Sequence, residues 1–249
     1  MTIPQLLDIP LLLGLLVLIA FLYASVGHGG ASGYLALMSV FAFPITFMKP
    51  TALLLNILVS GLSFYFYQQE NKINKKVFYP FIATSVPFAF IGGYLTMDTF
   101  YFKILLATVL VVAVLRLFGF LGKEKEVLKE VNIPLALIFG AVIGLLSGLL
   151  GIGGGILLTP LLILLGWANF KQAATMSALF ILINSISGLL GFITKGDSID
   201  SGVFLLAVFA FVGGSIGAYY GSKKFNTLVL RNILAAVLAI AIFKLYTTA

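Results

Sequence analysis

Ten apolar runs, parted only by short links rich in charge, Gly or Pro, fill almost the whole chain. That pattern leaves little freedom in fold. Of 249 residues, 61% are hydrophobic and 9% charged, whereas soluble domains carry about 25% charge. So few charges cannot coat a water-facing surface, and a soluble globular enzyme is excluded. A membrane crossing needs about 20 apolar residues, so a chain of this length holds roughly ten to twelve and no sizeable extramembrane domain. The expected class is an all-α integral membrane protein, a polytopic helical bundle. The segments fall at about 8–27, 31–47, 50–68, 77–97, 100–121, 133–150, 155–168, 171–194, 201–221 and 227–246. Met1–Pro10 lacks Lys and Arg and contains Asp8, a poor secretory leader, so the first run reads as a retained helix.

Charge placement predicts orientation. The net charge is +7, but the basic residues lie mostly in links, where they direct insertion rather than bind nucleic acid. With both termini outside the cytoplasm, eleven basic residues fall on the cytoplasmic side, from Lys72, Lys75 and Lys76 through Lys171 to Arg231. Four fall outside: Lys49, Lys103, Lys195 and Lys244.

The two halves echo each other in order. Val26-Gly27-His28-Gly29-Gly30-Ala31 matches Leu150-Gly151-Ile152-Gly153-Gly154-Gly155. Asn56 with Ser60-Gly61 resembles Asn184 with Ser187-Gly188, and Phe88–Gly93 resembles Phe209–Gly214. Lys103–Phe118 matches Arg231–Tyr246. Each half holds five segments, an odd number, so the second enters the membrane inverted. The expected architecture is two inverted-topology repeats, 1–122 and 133–249, joined by a cytoplasmic linker at 123–132. This is an arrangement of secondary transporters.

The polar features suit an anion. Each glycine cluster interrupts an apolar run, and near-adjacent glycines disfavour helix by about 1 kcal/mol each. Non-helical backbone at membrane depth survives only where protein buries it or a wet cavity meets it. Each cluster should therefore break one helix and start the next, aiming N–H groups at a negative ligand. The candidate substrate-binding residues are Gly27, His28, Gly29, Gly30, Ser32, Asn56, Gly151, Gly153, Gly154, Gly155, Thr159 and Asn184. Single hydroxyls serve equally well as bonds between helices. Asn56 and Asn184 stand out as repeat mates in apolar surroundings.

All eight acids lie in links or at segment ends, against a cation substrate or a carboxylate proton relay. His28, the only histidine, is the proton-coupling candidate. Lys49 and Lys171 read first as snorkelling anchors and second as attractors of anions. Gly213, Gly217 and Gly221 form a small-residue face for close helix packing. With no cysteine and one histidine, neither disulfide nor metal site is expected, and no cofactor. An enzyme would need a nucleophile with a base and an orienting group, for which one histidine and no acid inside the segments are a poor basis.

The run Gly151–Gly155 with Pro160, and its variant Ser25–Tyr34 in the first half, resemble the repeated signature of the sulfite exporter TauE/SafE family. The resemblance covers essentially the whole chain. It implies a bacterial or archaeal inner-membrane permease for a small sulfur-containing anion such as sulfite or an organosulfonate. An anion channel, or a transporter of a non-sulfur organic anion, is the alternative. Its partners would be the anion, a coupled proton or other ion, and lipid; a homo-oligomer is compatible. His28 and Ala31 depart from the usual form of the signature.

Overall fold

The computed structural model describes residues 10–117 and 128–223, with isolated positions at 239, 242, 243, 246 and 247. The tenth expected segment, 227–246, thus falls almost wholly outside the described residues, as does the first part of the linker. The described elements are helices, with no strand among them: α1 (Pro10–Ala24), α2 (Ala31–Val40), α3 (Ile45–Glu70), α4 (Lys75–Tyr94), α5 (Thr99–Leu117), α6 (Ile133–Leu150), α7 (Gly155–Leu165), α8 (Phe170–Thr194) and α9 (Gly202–Lys223). Five of them, α3, α4, α6, α8 and α9, are long and apolar enough to cross a membrane. The chain is a polytopic helical membrane protein.

Local chemistry sets most boundaries. Asn74 and Asn132 each accept a hydrogen bond from a first-turn amide, capping α4 and α6. Asn169 and Gln172 form a capping box at the start of α8, satisfying two orphan donors reciprocally. Two boundaries differ from expectation. The second segment ends at Val40 instead of reaching 47, because Ala42 takes a left-handed φ of 58° and the chain turns there. The third begins at Ile45, after an extended Pro44, so that Pro50 lies inside α3 rather than at its start. There Pro50 gives up the one backbone bond that its amide would have made to Thr46.

Rows of close contacts fix the helix directions. Gly140, Gly144 and Gly148 of α6 lie against Phe81, Ser85 and Ala89 of α4. Both series rise by four, so α4 and α6 run parallel. Gly213, Gly217 and Gly221 of α9 lie against Val17 and Phe21 of α1 and Ser25 just past its end in the same manner. The small-residue face read from sequence is therefore the seat of α1. In both pairs backbone meets backbone, the approach that small residues permit between membrane helices.

The loops at 41–44, 95–98 and 195–201 gather at one end of the bundle around a shared cavity. Call this end face A and the other face B. From the loop at 195–201, α9 runs from A to B, and α1 runs with it. α2 then folds back along α1, with the Tyr23 hydroxyl 2.6 Å from Ser32 Oγ and Gly33 against Ile19 and Tyr23. It returns to face A. α4 runs from B to A, and α6 with it. α7 doubles back to face B, where the Gly166 carbonyl accepts from Lys129 N at 2.7 Å, just before α6 begins. Helices of 10 and 11 residues reach about 15–17 Å, half of a hydrocarbon core of about 30 Å. α1–α2 and α6–α7 are thus hairpins, and their short second arms do not span. Exposed Tyr94, Phe100 and Tyr101 ring face A, and Tyr65, Tyr219 and Tyr220 lie towards face B, as aromatic side chains do at membrane interfaces.

Candidate functional site

The two glycine clusters form the hairpin tips. Gly27 and Gly151 take φ values of 77° and 78°, and Gly30 and Gly154 take 101° and 77°. Gly151 ends α6, while Gly30 and Gly154 are the N-cap residues of α2 and α7. These left-handed conformations, costly for residues with a Cβ, let the chain reverse within a few residues.

Both tips converge on the middle of α3 and α8. Gly29 and Gly153 lie against the same two side chains, Asn56 and Ile181. Asn56 Oδ1 accepts from the Ala31 amide at 2.9 Å, and Asn56 Nδ2 donates to Ser185 Oγ at 3.3 Å. One amide side chain thereby ties the first tip, α3 and α8 together, fully buried.

A second link joins the halves directly. His28 Nδ1 lies 3.0 Å from the Val26 carbonyl, and Nε2 lies 3.2 Å from Thr159 Oγ1 on α7. A carbonyl only accepts, so Nδ1 carries a proton. In the neutral ring, Nε2 then accepts from Thr159. Thr159 Oγ1 is also 2.6 Å from Ser177 Oγ and 3.0 Å from the Gly155 carbonyl. The Gly155 carbonyl is thus an alternative acceptor for the Thr159 proton.

Carbonyls at the first tip are occupied while neighbouring amides are not. Tyr67 donates to the Ser25 carbonyl at 2.8 Å, Tyr34 to Gly29 at 2.9 Å and Ser63 to His28 at 3.4 Å. The amides of Gly29, Gly30, Gly153, Gly154 and Gly155 have no protein partner among the described residues. These glycines are buried. Buried amides without partners are rare, because each forfeits its hydrogen bond to water. Five at two facing helix starts make an electropositive centre without a formal charge. Such backbone nests suit anions. No carboxylate is buried among the described residues, nor do they hold a cluster of metal-ligating side chains.

Of the residues singled out from sequence, Gly27, His28, Gly29, Gly30, Asn56, Gly151, Gly153, Gly154, Gly155 and Thr159 lie at or beside these tips. Ser32 instead bonds Tyr23 within the first hairpin. Asn184 donates to Phe180 of its own helix, and its Oδ1 is buried without a partner. It does not mirror Asn56. Ile181 stands opposite Asn56, about one helical turn from the expected mate. Ser185, next in sequence to Asn184, joins the network instead. Lys49 is no snorkelling anchor. It is 6% exposed, and its ammonium donates to the carbonyls of Gly92, Gly93 and Leu95 at 2.8–3.0 Å, closing the C-terminal end of α4.

The sequence profile of the family described as Sulfite exporter TauE/SafE matches residues 12–245. The chain belongs to the TauE/SafE family. This TauE/SafE chain is 35% identical over 233 residues to a probable membrane transporter protein of Sinorhizobium fredii, covering 91% of this chain and 94% of the relative. It is 27% identical over 197 residues to a probable membrane transporter protein of Methanocaldococcus jannaschii, covering 74% and 73% respectively. No solved structure matches it. With its apolar spans and its relatives, the TauE/SafE chain is a multi-pass membrane transporter and not an enzyme.

Proposed function

We propose that this transporter is a secondary permease for a small sulfur-containing anion, sulfite or an organosulfonate, working by alternating access in a bacterial or archaeal inner membrane. The observation that carries the reading is the meeting of two glycine-broken hairpins, returning to opposite faces, at five buried amides without partners. Sulfite or a sulfonate head presents three oxygens to such donors. Asn56, Thr159 and Ser177 add polar groups at the same place. The name of the matching family supports sulfur chemistry in the cargo.

Oppositely directed hairpins, parallel α4/α6 and α1/α9 pairs, and the matched glycine clusters all support two inverted repeats, 1–122 and 133–249. Rocking one half against the other would open the centre to each face in turn. The excess of Lys and Arg in the links at face B supports a face A outside the cytoplasm, with both termini. His28, bridging the halves to Thr159, is the proposed proton carrier. Its protonation turns Nε2 into a donor and sends the Thr159 proton to the Gly155 carbonyl.

Purified protein in liposomes tests this. Sulfite uptake should saturate, run uphill against an opposing pH or anion gradient, and carry no large conductance. Fast, non-saturating current would make the protein an anion channel. Absence of sulfur-anion flux under every imposed gradient would refute the reading.

A further inference from the structure

Face A carries a cavity of about 470 Å³ that is separate from the amide-lined centre. Its rim is the turn at 95–98 and the loop around Lys195. Its floor includes Leu149 and Lys49, and the Lys49 backbone abuts Gly151 at the base of the second hairpin. The cavity therefore ends where the tip begins. A bare oxyanion fills only a fraction of this space, which falls in the size range of sites for small organic molecules.

Its lining is two-sided in chemistry. Lys49, Lys103 and Lys195 line it with Asp197, and Asp200 lies in the adjoining part of the same loop cluster. Asp197 pairs with Lys195 at 3.1 Å. Lys49 has no carboxylate partner among the described residues. All three of its protons go to carbonyl oxygens, which orient the charge without cancelling it. A buried charge is ordinarily matched by an opposite one. The remaining wall is apolar and aromatic, with Phe43, Phe102 and Phe192 each largely buried around the space. The Lys49 charge beside aromatic wall fits an anion with a hydrocarbon body better than a small inorganic one.

We infer that the face A cavity is a second substrate site, a vestibule that takes an amphipathic organic anion, acid head towards the lysines and hydrocarbon against the phenylalanines, before its head moves to the hairpin tips. This deepens the permease reading and rests on it for the onward step, while occupancy of the cavity stands alone. Lys195, beside Asp197 on the rim, reaches the head group, and Lys49 supplies field from below.

Calorimetric titration of the detergent-purified protein tests it, with butane-1-sulfonate and sulfite as probes. Thr96 is exposed on the rim, so Thr96→Trp fills the vestibule without disturbing a helix, and Lys195→Gln removes one charge. The double variant should weaken butanesulfonate by about tenfold, the worth of one charge-assisted contact. Sulfite affinity should hold within about twofold, as for independent sites. Asn56→Leu should weaken sulfite and leave vestibule binding in place. The inference is overturned if wild-type protein does not bind butanesulfonate, if the double variant binds it unchanged, or if sulfite weakens in parallel. Failure of sulfite alone to bind wild-type protein would strike the permease reading and leave the vestibule standing.

Discussion

Thr159 joins the second hairpin to the first through His28. It is fully buried, with its hydroxyl within bonding distance of His28, Ser177 and Gly155 at once. Thr159→Val keeps shape and deletes the hydroxyl, leaving His28 Nε2 and Ser177 Oγ short of that partner. A buried polar group left unpaired costs about 1–3 kcal/mol. The variant should melt at lower temperature in detergent and lose most of its stabilisation by sulfite. Unchanged melting with unchanged sulfite response would remove Thr159 from the site. Residue type alone could suggest Thr159, because a hydroxyl five residues after a glycine break lies on the first turns of the new helix. Lys49 could not be read in this way. Its role depends on the carbonyls of Gly92, Gly93 and Leu95, more than forty residues away, and apolar patterning cannot show where that helix end lands.

At the scale of helices, backbone approach decides stability. Gly148 has the carbonyl of Ala89 and the amide of Gly93 where a side chain would go, and neither can give way. Gly14, on α1, has open space within 4 Å of where a Cβ would stand. Gly148→Ala should therefore separate α4 from α6 and lower the melting temperature by several degrees or prevent folding. Gly14→Ala should be neutral or stabilising by up to about 1 kcal/mol, the helix-propensity gain. Equal effects from the two would contradict the parallel packing described above. Helix identities were legible because each apolar run ends at Asn, Gly or a charged link; α6 occupies the expected 133–150. The α2–α3 junction was not. Pro50 resembles a helix start, whereas the actual turn rests on Ala42, a residue with no turn signature. The mispairing of Asn184 has a related cause. The matched glycine clusters are 124 residues apart, whereas Asn56 and its spatial counterpart Ile181 are 125 apart. The sequence match at Asn184 therefore picked a neighbouring turn.

For the whole molecule, the decisive property is that the two hairpins return to opposite faces. The chain has no cysteine, so single-cysteine variants report without background. Thr46 begins α3 after the first hairpin, and Lys171 begins α8 after the second; both are exposed. A membrane-impermeant maleimide should label Thr46→Cys from one side of intact vesicles and Lys171→Cys only from the other. Labelling of both from the same side would contradict the inverted arrangement. That arrangement matters to the proposed permease because it brings two sets of helix-start amides to one point, where the proposed anion would be held without a fixed counter-charge and released to either side. Selective 15N-glycine labelling of the protein in nanodiscs, titrated with sulfite, reads those amides directly. Saturable shifts at Gly29, Gly30, Gly153, Gly154 and Gly155, with the other glycines largely still, are the predicted result. Silence at these five amides, or shifts confined to glycines outside the two tips, would contradict it.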